Sequence, residues 1–111
     1  MQGHKDFNDY PVFMRAMAVA MSGYEGDKIE VFSLGPINVN QFVAQFCNIS
    51  EDGMRGRGMS IRFYTRPYSW AKDYIGDMNY VAYLAGKPRF VPPVIKLANE
   101  YEVENGIFLF G

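Results

Sequence analysis

The chain has 111 residues, 49% of them apolar and 16% aromatic, and a net charge of −1. That is enough apolar material for one core, and the absence of a basic excess argues against indiscriminate DNA or RNA binding. One cysteine, Cys47, and one histidine, His4, exclude an internal disulfide and a structural zinc site, which takes four such ligands.

From the N-terminus, "MQGHKDFNDY" is polar and unlike a signal peptide. Asn8 and Asp9 are natural helix caps and Pro11 suits a first turn. Val12, Phe13, Ala16, Met17, Ala20 and Met21 then recur at helical spacing, and Gly23 and Gly26 close the helix. "KIEVFS", Lys28 to Ser33, alternates and is rich in β-favouring residues, which predicts a strand.

After a turn, Val39, Phe42, Val43, Phe46 and Cys47 mark a second helix face, with Asn38 or Asn40 as its expected cap. "EDGMRGRGM", Glu51 to Met59, reads as a loop, followed by a strand, "SIRFYT". Ser69 is placed to cap a short helix over Trp70 to Tyr74. "YVAYLAG", Tyr80 to Gly86, is apolar on both faces, as a central strand is. Pro92 and Pro93 open a last helix with Val94, Ile95, Leu97, Ala98 and Tyr101, and the sequence ends on the apolar run "GIFLFG".

Alternating helices and strands, several of the strands apolar all round, predict an α/β fold: a three-layer Rossmann-like sandwich with a mainly parallel sheet of four to five strands. In such a sheet ligands bind beyond the carboxyl ends of the strands. No apolar run reaches the ~20 residues that cross a bilayer, so a cytoplasmic protein in a reducing compartment is expected. Cys47 is expected as a buried small apolar residue, His4 on a surface loop, and the seven methionines as core filler.

At the level of motifs, "GHKDFNDYPVFMRAM" resembles the opening of the YspA-like branch of the SLOG superfamily. These are Rossmann-like nucleotide-binding domains related to DNA-processing protein A and lysine-decarboxylase-like proteins. In that branch a first strand ends in Gly-x-Arg-Asp-Phe-x-Asp. "IEVFSLG" aligns with its second strand and turn, and "DMNYVAYLAGKPRFVPPVIKLA" with a later phosphate-contacting segment and helix. The likeness covers nearly the whole chain. It implies a ligand site built from Gly3, Lys5 and Asp6 in the first loop, Ser33 and Gly35 in the second, and Gly86 in the fourth.

The departures from that pattern lie in the phosphate loops. Leu34, Pro36, Ile37, Asn38, Val39 and Asn40 stand where the family has a glycine-rich turn ending in Asp. Pro36 removes an N–H donor, and Leu34 and Val39 add bulk where glycines would let backbone approach a phosphate. Phe90 and Val91 replace a Gly-Thr pair, and Ala85 replaces an Asp. Asn38 and Asn40 at the helix start, Arg66 at the end of the third strand, and Lys87 and Arg89 beyond Gly86 complete the candidate ligand residues. No catalytic set, metal-ligand set or cofactor motif is intact.

The family begins with a central strand before the Gly-x-Arg-Asp loop, and here only Met1 and Gln2 precede Gly3. A gap there would leave strand edges unpaired. "GIFLFG" placed before "HKDFNDY" restores the family opening, so a circularly permuted sheet with Ile107 to Phe110 in the central slot, and the Gly111 carboxylate near Gly3 and His4, is expected. The plainer alternative puts that strand at the edge.

Other features have ordinary readings. "MRGRGM" suits a surface connection better than a phosphate grip. Tyr68 and Trp70 with Arg66 have the chemistry to stack a base, although a Trp beside a short helix more often seals a core. Three functional expectations follow. The first is a non-catalytic binding protein derived from a nucleotide-binding SLOG-like domain, acting as an adaptor or inhibitor through protein–protein contact. A virus-encoded protein fits that description, and so does a homodimer. The second is a binder of a nucleotide or nucleotide-derived signal at the strand-end loops, and the third a nucleotide-processing hydrolase.

Overall fold

The computed structural model describes residues 1–86 and 91–109. It is a mixed α/β protein with parallel strands. Strand β1 (Gln2–Gly3) leads into α1 (Tyr10–Ser22), then β2 (Lys28–Ser33), α2 (Ile37–Gly56) and β3 (Ser60–Thr65). The second half runs α3 (Tyr68–Tyr74), a 3-10 turn at Ile75–Asp77, β4 (Val81–Ala85), α4 (Pro93–Glu100) and β5 (Asn105–Leu109).

Local sequence explains most of these elements. Asp9 caps α1, its Oδ1 accepting the Val12 N–H at 3.1 Å, and Pro11 sits in the first turn, where its missing N–H costs nothing. Gly23 ends that helix. Helix α2 begins after Pro36 rather than being capped by Asn38 or Asn40, and it runs on through Glu51–Gly56, where a loop was expected. Arg55 reaches Glu51 at 3.1 Å, a helical i,i+4 ion pair, and no neighbouring group comes near a Cβ position at Gly53 or Gly56. Helix α3 likewise starts after Pro67, one turn's fraction earlier than a Ser69 cap would place it.

Strands β2 and β3 pair from Lys28↔Ser60 to Ser33↔Thr65. In a second ladder β4 lies between β1 and β5, with Gln2↔Tyr83 on one side and Val81↔Asn105 on the other. The ladders meet where the Met1 amine donates to Phe32 O (2.6 Å), Leu34 N–H to Met1 O (2.8 Å) and Gly3 N–H to Gly35 O (3.1 Å).

This overturns the circular permutation. The strand containing Ile107 is last in the order β1-β4-β5, bonded to β4 alone among the described residues, and the residues between β2 and β4 are Met1–Gly3. Phe110 and Gly111, which the permutation also invoked, lie outside the described residues.

Two cores flank the strands. Phe13, Ala16 and Met17 of α1 and Val39, Val43, Phe46 and Cys47 of α2 bury against Ile61, Ala82, Leu84 and Phe108. Val94, Ile95 and Ala98 of α4 join Ile75, Val81 and Val103 in the second core, with Tyr83 and Ile107 against it. Successive residues of β4 and β5 therefore face opposite cores, which is why both strands read as apolar on every side. Cys47 is buried as expected, and burial pushes its thiol up to about 11. No helix among the described residues is long and apolar enough to cross a membrane.

Candidate functional site

The carboxyl ends of β1, β2 and β4 bring three loops together, and most of the residues predicted to hold a ligand are there. Gly3 packs so tightly that a Cβ would stand 2.8 Å from Val39 Cγ2 and 3.1 Å from Leu84 O; it is required by backbone approach within the protein itself. His4 N–H donates to Leu84 O at 2.8 Å, tying the first loop to β4. Phe7, 1% exposed, plugs that loop into the first core and meets Phe42 edge-on, ring centroids 5.4 Å apart. Lys5 and Asp6 stay exposed at the loop tip, where the Asp6 N–H donates to His4 Nδ1 at 3.1 Å.

The second loop is held by its own polar side chains. Asn38 Nδ2 donates to Phe7 O at 2.6 Å and to His4 O at 3.4 Å, latching the start of α2 to the first loop. Ser33, wholly buried, donates its hydroxyl to Asn40 Oδ1. Ser33, Asn38 and Asn40 are thus engaged in internal bonds. Gly35 has φ +92°, left-handed backbone that favours glycine, with nothing near its Cβ position, and its peptide to Pro36 is cis. Among the first-turn groups of α2, Asn40 N–H is the first to bond back, to Pro36 O, which leaves the N–H groups of Ile37, Asn38 and Val39 ahead of the intrahelical ladder. Gly86 follows β4 and is half-buried; Lys87 and Arg89 lie outside the described residues.

Arg66 does not join this cluster. Its backbone N–H donates to Ser33 O, but its guanidinium lies 5.2 Å over the Tyr64 ring and donates to Thr65 O. Tyr64 is the first of a run of stacked rings. It stacks on its register partner Phe32 (5.1 Å, 19°), Phe32 on Trp70 (4.6 Å, 24°), and Trp70 on Tyr74 (4.9 Å, 21°). Glu30 and Arg62, exposed register partners two residues earlier on β2 and β3, share that face.

The stripe was only partly legible. Trp70 and Arg66 were singled out together, but the expected companion, Tyr68, instead packs against the second core with Lys72 Nζ 5.7 Å from its ring. Phe32, Tyr64 and Tyr74 were passed over. The alternation of "KIEVFS" and "SIRFYT" held the signal, since parallel pairing sets Phe32 beside Tyr64. Trp70 is half-buried and stacked rather than sealed within either core.

The described residues contain no cluster of three or more His, Cys, Asp or Glu able to hold a metal ion. Comparisons with protein-family models, with curated proteins and with solved structures return no match to this chain.

Proposed function

We propose that this protein is a non-catalytic binding domain, a three-layer Rossmann-like sandwich of SLOG-like descent that acts through protein–protein contact. The bonds from Met1 and Gly3 to the end of β2 support a continuous parallel order β3-β2-β1-β4-β5, with α1 and α2 on one face and α3 and α4 on the other. That is the arrangement in which a doubly wound sheet changes direction between β1 and β4.

The observation that carries the reading is the stacked stripe Tyr64–Phe32–Trp70–Tyr74 with Arg66 laid over its end. Aromatic residues and arginine are the types enriched in the energetic centres of interfaces. Stacked rings also present apolar area whose side-chain entropy is already lost. Ser33, Asn38 and Asn40 of the loops after the first two strands, by contrast, are satisfied within the chain. The test is affinity capture of partners with the wild-type chain and with Tyr64→Ser/Tyr74→Ser, the fold of both checked by circular dichroism. A partner held by the first and released by the second is the expected result; equal retention removes the stripe from the contact.

A nucleotide-type ligand is the second reading, favoured by the open left-handed Gly35 beside the uncapped first turn of α2. It predicts a rise in melting temperature with nucleotides, cyclic dinucleotides or ADP-ribose derivatives. That rise should disappear in Gly35→Val and survive in the stripe variant.

A further inference from the structure

Strand β3 ends its ladder, bonded to β2 alone among the described residues. Its six residues, Ser60 to Thr65, pair with β2 one for one, with neither a bulge nor a proline. Edge strands of monomers are commonly very short, bulged, proline-bearing or covered, because a bare edge offers its backbone to another chain.

The ladder fixes which groups are offered. Ser60 N–H bonds Asp27 O and Arg66 N–H bonds Ser33 O, so the even-numbered residues of β3 turn their backbone groups toward β2. By alternation, the N–H and C=O groups of Ile61, Phe63 and Thr65 point away from the sheet. Side chains alternate too. Ile61 and Phe63 share the face that α2 covers, yet Ile61 is buried in the first core and Phe63 is 37% exposed, so the helix leaves the middle of the edge open. Arg62 and Tyr64 lie on the other face, Arg62 exposed beside its register partner Glu30 and Tyr64 at the end of the stacked rings.

Charge on this edge selects an occupant and a register. A two-fold axis sets a patch against itself, and an antiparallel copy of β3 then places residues of one face opposite residues of the same face. An axis through Arg62 would put the two Arg62 side chains opposite each other, and an axis through Tyr64 would put Arg62 opposite Arg66; like charges so placed repel. An axis through Phe63 avoids both. Phe63 then faces Phe63 of the second copy and Ile61 faces Thr65, and since these are the outward-pointing residues, each is a hydrogen-bonded pair. On the other face Arg62 meets the Tyr64 ring of the second copy in a non-bonded pair, where side chains approach closest, and Glu30 beside Arg62 balances the charge.

We infer that β3 is the interface of a symmetric homodimer, in which an antiparallel second copy pairs about Phe63 and joins the two β2–β3 ladders into one sheet. This goes beyond the binding role proposed above and does not rest on it, because Trp70 and Tyr74 belong to α3 and Trp70 stacks on β2 rather than β3.

Sedimentation velocity of the 111-residue chain from low to high micromolar concentration tests the dimer, with amide exchange measured at both ends of that range. A dimer is expected at high concentration, with slowed exchange at Ile61, Phe63 and Thr65. Thr65→Pro removes an outward donor at an exposed edge position, so it should keep the circular dichroism of the parent and lose the dimer. Tyr64→Glu and Tyr64→Lys delete the same ring; opposite Arg62, the first should hold the dimer and the second lose it. Tyr74→Ser should dimerise as the parent does, and Thr65→Pro should still capture a partner of the stripe, so either reading can fail alone. A monomer throughout the range overturns the proposal. So does a dimer undiminished in Thr65→Pro, which places the contact elsewhere, and so does equal association of the two Tyr64 variants, which removes Arg62 from that position.

Discussion

The two ends of the space between β2 and β4 are built from the same strands and behave differently. At the carboxyl end, Met1–Gly3 completes the pairing, Gly3 is clamped between Val39 and Leu84, and Asn38 latches one loop to the next. At the amino end, no third strand lies between β2 and β4 among the described residues, and the two line a cavity of about 200 Å³. Ser33, Asn38 and Asn40 at the first end are spent on internal bonds, while the second end is lined mostly by apolar side chains. The two ends differ because side chains and Met1–Gly3 fill the space at one, whereas at the other only the flanking strands and helices line it.

The Met1 amine sits at the boundary and gives the largest test. Burial lowers its pKa from 8.0 to about 5 in the folded chain. Between those values the unfolded chain binds the proton and the folded chain does not, so stability should rise with pH from 5 to 8, by up to about 4 kcal/mol. Urea titrations of the 111-residue chain at several pH values measure that slope. A flat profile would mean that water already reaches the amine through the cavity and that the contrast between the two ends is smaller than drawn.

Gly3→Val attacks the closed end directly. Its Cβ would meet Val39 Cγ2 at 2.8 Å and Leu84 Cβ at 3.0 Å, in a core with backbone on one side. A loss of about 3 kcal/mol is expected from overpacking, read as a lower urea midpoint. Wild-type stability would show that the closed end yields as readily as the open one.

Asn38→Ala removes the latch to Phe7 O and His4 O and should cost about 1.5 kcal/mol. Amide exchange should quicken in residues 4–9 and stay unchanged in β2 and β3. Smallest of all, Tyr24→Phe deletes the exposed bond from the Tyr24 hydroxyl to Lys28 O at the edge of the cavity. A change of about 0.5 kcal/mol or less is expected where water can replace the donor. A larger loss would place that carbonyl in a dry environment and close the cavity there.

Some of this was readable from residues alone. Asp9 followed by a proline and a periodic apolar face specified α1, and the alternation in "KIEVFS" specified β2 to the residue. Helix α2 runs through Gly53 and Gly56, in a stretch whose composition suggests a loop. On an exposed face a glycine weakens a helix without ending it, and Glu51 with Arg55 holds the last turns. Most of the candidate ligand residues lie in loops at the carboxyl ends of the strands. Ser33 bonds Asn40, and Asn38 bonds the carbonyls of His4 and Phe7; the second pairing depends on the distance between loops far apart in sequence.

Local patterning by itself determined the α/β class and the parallel pairing, because the period of apolar residues reports how many faces of each element are covered. It could not decide where "GIFLFG" sits. Ile107 and Phe108 face opposite cores whether their strand is central or at an edge, provided helices cover both sides of the sheet. Strand order, the stacking of Phe32 between Tyr64 and Trp70, and the cavity between β2 and β4 were decided only by the tertiary structure. Each depends on which backbone edges meet, and an edge leaves no mark on the periodicity of its own side chains.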